Sequence, residues 1–331
     1  MYKYANQITP RNATNFFNII GNYFTPHTNL NVFNALLTVS QKLVQNPSYC
    51  ASFIEADLHL SLPFDQKELC QKALNITYWI IQHQPDAIAD ISDVLIFLMG
   101  RVPEYTHKIL VLLNIYQKKF DQIKDPCIFI DKVLVVLKNN KKLQFQTGFI
   151  SIFYDLCKKF QSFRNKRLTY CIDAISSCID SEKSSVIRAV YAFLAEYKDI
   201  IIPNKRRFYS FAPCHLVNPH TAIQTVKFLL IRGDYRITQK LITSAFRLAT
   251  QSNYANLLLC KIADTEEGAN LLMQPENMNF VEIGLPDYEG TLRILLILLR
   301  NRDYLEKYKQ SKSLPFFVTQ FCSCANCPRV I

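Results

Sequence analysis

Glycine is scarce in this chain. Seven occur in 331 residues, about a third of the ~7% share usual in proteins. So few glycines exclude a sheet rich in tight turns, and they exclude loops that cradle phosphate with bare backbone. Long apolar runs are missing too. The longest, VLIFLM at 94–99 and ILLILL at 294–299, fall far short of the ~20 residues that span a bilayer. The opening MYKYANQITPRN has none of the apolar core that a signal peptide needs. The expectation is a cytoplasmic protein without a transmembrane segment, with the nucleus as the alternative compartment.

Recognisable catalytic chemistry is also absent. The chain carries no G-x-S-x-G, no H-E-x-x-H and no P-loop. Its six histidines are scattered, and none pairs with a nucleophile in a motif. No enzyme activity and no cofactor are expected. Eleven cysteines might suggest disulfides, but the number is odd and most sit inside apolar helical segments, such as Cys157, Cys171, Cys178 and Cys260. They read as free thiols acting as small hydrophobes in a reducing compartment. Three more, Cys322, Cys324 and Cys327, crowd the ending FCSCANCPRVI. Zinc takes four ligands, and the tail supplies three. Cys214, His215 and His220 could supply a fourth only from two repeats away, so no metal site is assigned. The expected reading of the tail is a partly frayed end with incidental thiols, with palmitoylation of the clustered thiols as an alternative. A prenyl signal is excluded, because the fourth residue from the end is Pro328.

What the chain does contain is greasy helix. Hydrophobic residues make up 49% and charged residues 20%, enough to fold and unlike a disordered composition. Apolar cores recur along the sequence. Taking Leu37, Ile76, Leu112, Ile152, Val190, Val226, Leu259 and Leu295 as equivalent, the steps run from 33 to 40 residues, with a mean near 37. Each core repeats apolar residues at i, i+3, i+4 and i+7, the spacing of one buried helix face. In one unit Phe149, Ile152, Phe153 and Leu156 share that face. Prolines fall between the cores, at Pro47, Pro63, Pro85, Pro103, Pro126, Pro203, Pro219, Pro275, Pro286 and Pro315. A helix-interior proline costs ~3 kcal/mol, so these mark seams. PSYCASFIEADLHLSL is expected to form a second helix bearing Phe53, Ile54, Leu58 and Leu60. Asp65, with Glu68 three positions on, is the expected cap of the helix after it.

The segment LLLCKIADTEEGANLLMQPENMNFVEIGL (257–285) carries a resemblance. Its ADTEEGANLLM stretch is similar to the turn of armadillo repeats, where glycine follows acidic residues and a Leu-Leu pair starts the next helix. NPSYCASFIEADLHLSL (46–62) resembles the same place without the glycine. The resemblance to armadillo and HEAT repeats implies an all-α, right-handed α-solenoid of about eight units with a concave groove. It would form one domain over 1–331, with a cap at 1–29, repeats at 30–300, and a C-terminal cap and tail at 301–331. It names no ligand, since such folds serve many partners. Importin-type armadillo proteins line the groove with tryptophans; this chain has only Trp79, so that peptide ladder is missing. Arrays of this kind also occur attached to protein kinases, which leaves a regulatory segment of a larger signalling enzyme as one alternative.

Charge supplies the last signal. Residues 121–250 hold 21 Lys/Arg against 10 Asp/Glu, while 1–120 hold 9 against 8 and 251–331 hold 8 against 9. The whole excess lies in the middle. Some of these cations follow apolar helices, where the dipole at a helix C-terminus favours them. Three successive clusters ask for more: Lys141 and Lys142; Arg164, Lys166 and Arg167; Lys205, Arg206 and Arg207. In a solenoid they would form one basic ridge. The expectation is a non-catalytic scaffold or adaptor whose partner is a protein or acidic peptide. Nucleic acid is the alternative partner, with Phe160, Phe163, Phe208, Tyr209 and Phe211 as stacking rings. Three places break the helical pattern: the cap at 1–29, the proline-rich stretch 198–220, and the turn-rich stretch 264–290.

Overall fold

The computed structural model describes residues 8–25, 28–101, 103–139, 146–249, 251–284 and 289–309. Among these the chain is all-helical, without a strand. It divides into two compact units, 1–175 and 176–331.

The first unit holds α1 (Ala13–Gly21), α2 (Leu30–Leu43), α3 (Pro47–Glu55), α4 (Lys67–His83), α5 (Ile88–Arg101), α6 (Pro103–Lys118), α7 (Cys127–Asn139), α8 (Gln146–Lys159) and α9 (Gln161–Ser176). The second holds α10 (Ser184–Glu196), α11 (Lys205–Ser210), α12 (Ala212–Val217), α13 (Ala222–Arg232), α14 (Gln239–Ala249), α15 (Asn253–Ala263), α16 (Glu266–Leu272), α17 (Pro275–Gly284), α18 (Glu289–Leu298) and α19 (Arg302–Lys309).

Packing follows chain order within each unit. In the first, α2, α4, α6 and α8 pack in succession, while α1 packs on α3 and α5 on α7. In the second, α10, α13, α15 and α18 pack in succession, and α12, α14 and α17 form a parallel series. The eight residues aligned from the sequence fall one in each of α2, α4, α6, α8, α10, α13, α15 and α18. All eight are buried, none more than 5% exposed. Burying a Leu, Ile or Val side chain is worth ~1.5–3 kcal/mol, so this shared face holds each series together.

Polar side chains span the same interval. Thr14 bonds Ser52, Lys72 bonds the Asn34 carbonyl, Tyr105 bonds the Lys67 carbonyl and Gln239 bonds Asn277. Each of these pairs is 38 residues apart. Arg167 reaches Asp131 across 36 residues, and Tyr304 reaches Asn270 across 34.

Prolines sit at helix starts and between helices. Pro47, Pro103 and Pro275 open α3, α6 and α17, where a missing N–H costs nothing. Two expected boundaries moved. The helix expected over PSYCASFIEADLHLSL, α3, stops at Glu55 and does not run on through Leu60. Asp57 adopts a left-handed backbone, φ 53°, which a short polar side chain tolerates. Leu58 then turns inward and Leu60 stays 55% exposed. Asp65 is not the cap of α4. The Phe64 N–H bonds the Leu62 carbonyl at 2.9 Å and Phe64 is buried, so this turn is separate and the helix starts at Lys67. Stretch 198–220 holds the two short helices α11 and α12, and the described part of 264–290 holds α16, α17 and the start of α18.

Candidate functional site

The stretch with the fewest regular helical turns carries the densest chemistry. After Pro203 the chain passes through Asn204 in a left-handed conformation, φ 52°, and then starts α11 with Lys205, Arg206 and Arg207. Nearby, α13 ends on Gly233, φ 67°, whose N–H bonds the Leu229 carbonyl at 3.0 Å. Glycine enters this conformation without steric cost. The reversal brings Asp234, Tyr235 and Arg236 round to the start of α14.

Asp234 is the hub of this region. It accepts a hydrogen bond from the Tyr209 hydroxyl, pairs with Lys205 at 3.2 Å and pairs with Arg232 at 3.4 Å. The Arg232 side chain is only 3% exposed. It also donates to the carbonyls of Tyr197 at 3.3 Å and Ile200 at 2.9 Å, which satisfies the buried guanidinium. Burial pushes the Asp234 carboxyl upward, but hydrogen bonds from Tyr209, Arg232 and Lys205 outweigh it and hold the group below the ordinary carboxylate value. Burial, and then the bond to Asp234, push the Tyr209 hydroxyl up. Burial alone pushes Tyr235 up to about 12.

Beside this hub lies a cavity of about 880 Å³. Leu229, Leu241, Pro213 and Tyr235 form its apolar lining, and Arg206, Arg236 and Lys240 its cationic rim. The three rim cations are exposed. No carboxylate among the described residues pairs with them, whereas Lys205 is committed to Asp234 and Arg207 to Asp180 at 3.2 Å.

Lys141 and Lys142 lie outside the described residues. Arg164, Lys166 and Arg167 stand together on α9 in the first unit, and Lys205, Arg206 and Arg207 on α11 in the second. Arg167 grips Asp131 with two nitrogens, at 2.8, 3.1 and 2.9 Å, so much of its charge is spent internally. Lys166 is exposed.

Helix dipoles account for only part of the basic excess. Lys138, Lys158 and Lys159 do occupy last turns, where the dipole favours them. Arg164, Lys166 and Arg167 fall in the first half of α9, whose last turn has no basic residue, and of the α11 cations Arg207 alone occupies the last turn. Lys205 and Arg206 open α11, Lys240 lies in the first turn of α14, and neither first turn has an acid. A cation at a helix N-terminus is disfavoured, by ~0.3–1 kcal/mol.

The rings named for base stacking are mostly core. Phe163, Phe208 and Tyr209 are at most 8% exposed. Phe208 and Tyr209 pack edge-on at 5.5 Å and both contact Phe228. Their faces are occupied, because burial of large rings supplies the apolar area that holds this irregular stretch in place.

Eight cysteines fall among the described residues and all are free thiols. Burial pushes Cys50 up to about 12, so it stays an unreactive thiol. His215 is buried and shares a 2.8 Å hydrogen bond with the Tyr191 hydroxyl, while Cys214 and His220 are exposed. Among the described residues no three His, Cys, Asp or Glu stand close enough to hold a metal ion. Cys322, Cys324 and Cys327 lie outside them. No described helix is long and apolar enough to cross a membrane.

The roles of Asp234, Tyr235 and Lys240 were not read from the sequence. A signal was there: between residues 200 and 263 nine Lys/Arg face a single acid, Asp234. A lone acid in such a stretch marks where the chain must neutralise a buried cation.

No protein-family model matches the chain, and no curated protein matches its sequence.

Proposed function

We propose that the chain is a non-catalytic interaction module, an armadillo- or HEAT-like right-handed solenoid of about eight units, that binds an acidic protein partner. The solenoid reading is supported by the eight buried equivalents, four in the successively packed helices of each unit, and by polar links that recur at the sequence period. Stacked helix pairs of this kind bury a core along one axis and leave long surfaces for partners.

One observation carries the acidic partner. Exposed cations are gathered at helix N-terminal turns, where their own helices disfavour them. Local stability does not explain that placement; attraction of an anionic surface does.

The test is binding of the acidic partner protein, or of poly-aspartate as a generic acidic probe, across a salt series. Affinity should fall steeply as salt rises. Lys166→Glu and Arg206→Glu are the informative reversals, because neither side chain is tied up in an ion pair among the described residues. Salt-insensitive binding, or undiminished binding by the double reversal, discards the reading. Equal or tighter binding of duplex or single-stranded nucleic acid at physiological salt replaces it with the nucleic-acid alternative.

A further inference from the structure

The cavity beside Asp234 combines two features that a simple positive surface does not need. Its rim carries Arg206, Arg236 and Lys240, all exposed, while most of its remaining lining surface is apolar, with Leu229 and Leu241 buried beneath it and Ser210, Asp234 and Thr238 as polar members. Its volume, about 880 Å³, lies within the range of sites that enclose an organic group. An inorganic anion would satisfy the rim and leave the apolar lining wet. A nucleic-acid strand would need open ring faces, and the Tyr209 ring is packed against Phe208 and Phe228. Asp234 does not cancel the rim, since Tyr209, Arg232 and Lys205 already engage it. The same bonds tie α11 to the Gly233 reversal, so the cavity is held in shape before anything enters it.

We propose that this cavity receives one apolar side chain of a partner segment whose flanking residues are Asp or Glu. This rests on the reading that the partner is an acidic protein, and it adds what the pocket selects. The apolar side chain displaces water from the half-buried Tyr235, above the packed Leu229 and Leu241, and the flanking carboxylates meet Arg206, Arg236 and Lys240. Charge then sets approach and orientation, and apolar burial sets residence.

Fluorescence anisotropy on the full chain tests this with three labelled peptides: aspartates flanking one phenylalanine, the same peptide with alanine in its place, and the phenylalanine peptide with asparagines for aspartates. The first should bind about tenfold more tightly than the second and lose its affinity in the third. Arg206→Glu with Arg236→Glu should weaken the phenylalanine probe by at least about tenfold, with an unchanged helical circular-dichroism spectrum. Lys166→Glu, on α9, should change it by less than about twofold. If the phenylalanine and alanine probes bind equally and both remain salt-sensitive, the pocket proposal fails while the acidic-partner reading stands. If neither aspartate probe binds at low salt, that reading fails and the proposal with it. Displacement of the probe by duplex DNA at physiological salt also overturns it.

Discussion

The side-chain amides of Gln239 and Asn277, 38 positions apart, exchange two hydrogen bonds of 2.7 and 2.8 Å. Asn277 is fully buried, and its amide also donates to the Leu271 carbonyl at 2.7 Å. A paired amide couple of this kind joins α14 to the start of α17 and fixes their register, because each partner satisfies the other away from water. Asn277→Leu should therefore lower stability by about 1–3 kcal/mol, read by chemical denaturation. Adding Gln239→Leu should recover part of that loss, since replacing both partners removes the unpaired amide. A double variant less stable than the sum of the singles contradicts the coupling.

Glycine is scarce here, and its sites differ in what they tolerate. A Cβ on Gly268 would lie 2.1 Å from the Ile262 carbonyl oxygen, whereas one on Gly148 would meet the tip of Leu110 at 2.4 Å. Backbone cannot step aside, but a leucine methyl can. Gly268→Ala should cost about 1–3 kcal/mol. Gly148→Ala should be near neutral, because helix propensity favours alanine by roughly 0.5–1 kcal/mol. Equal losses in thermal melts would refute the distinction.

Acid should destabilise the second unit in two steps. Burial lowers the His215 pKa from 6.5 to about 4, so the folded state holds the ring neutral while the unfolded state takes up a proton. Stability is full above pH 6.5 and falls between there and about 4, by about 3 kcal/mol in all. Asp234, held below its ordinary value, contributes stability that is present above pH 3.8 and lost as pH drops further. The measurement is unfolding free energy against pH. His215→Gln should flatten the upper step and leave the lower one; an unchanged upper step would exonerate His215.

Asp234→Asn should loosen the turn more than its own exposure suggests. The substitution leaves the Arg232 guanidinium, 3% exposed, without its counter-charge. A loss of about 1–3 kcal/mol is expected, with faster hydrogen exchange over 205–236. Arg207→Ala, whose own side chain is 64% exposed in its pair with Asp180, should change stability by less than about 1 kcal/mol.

The sequence alone was enough to establish that this chain is helical and to locate a buried face in each of eight helices. Helical periodicity and proline placement are local properties, and Leu37, Ile76 and Val226 stand in the core as their spacing requires. The boundaries at Asp57 and Phe64 depended on single left-handed or turn residues, which leave no periodic trace. Only tertiary structure decided which cations are free to act. Arg167, Lys205 and Arg207 look like Lys166 and Arg206 in the chain, but Asp131, Asp234 and Asp180 neutralise them from 36, 29 and 27 residues away. A charge's availability depends on what folds against it, and no local pattern encodes that.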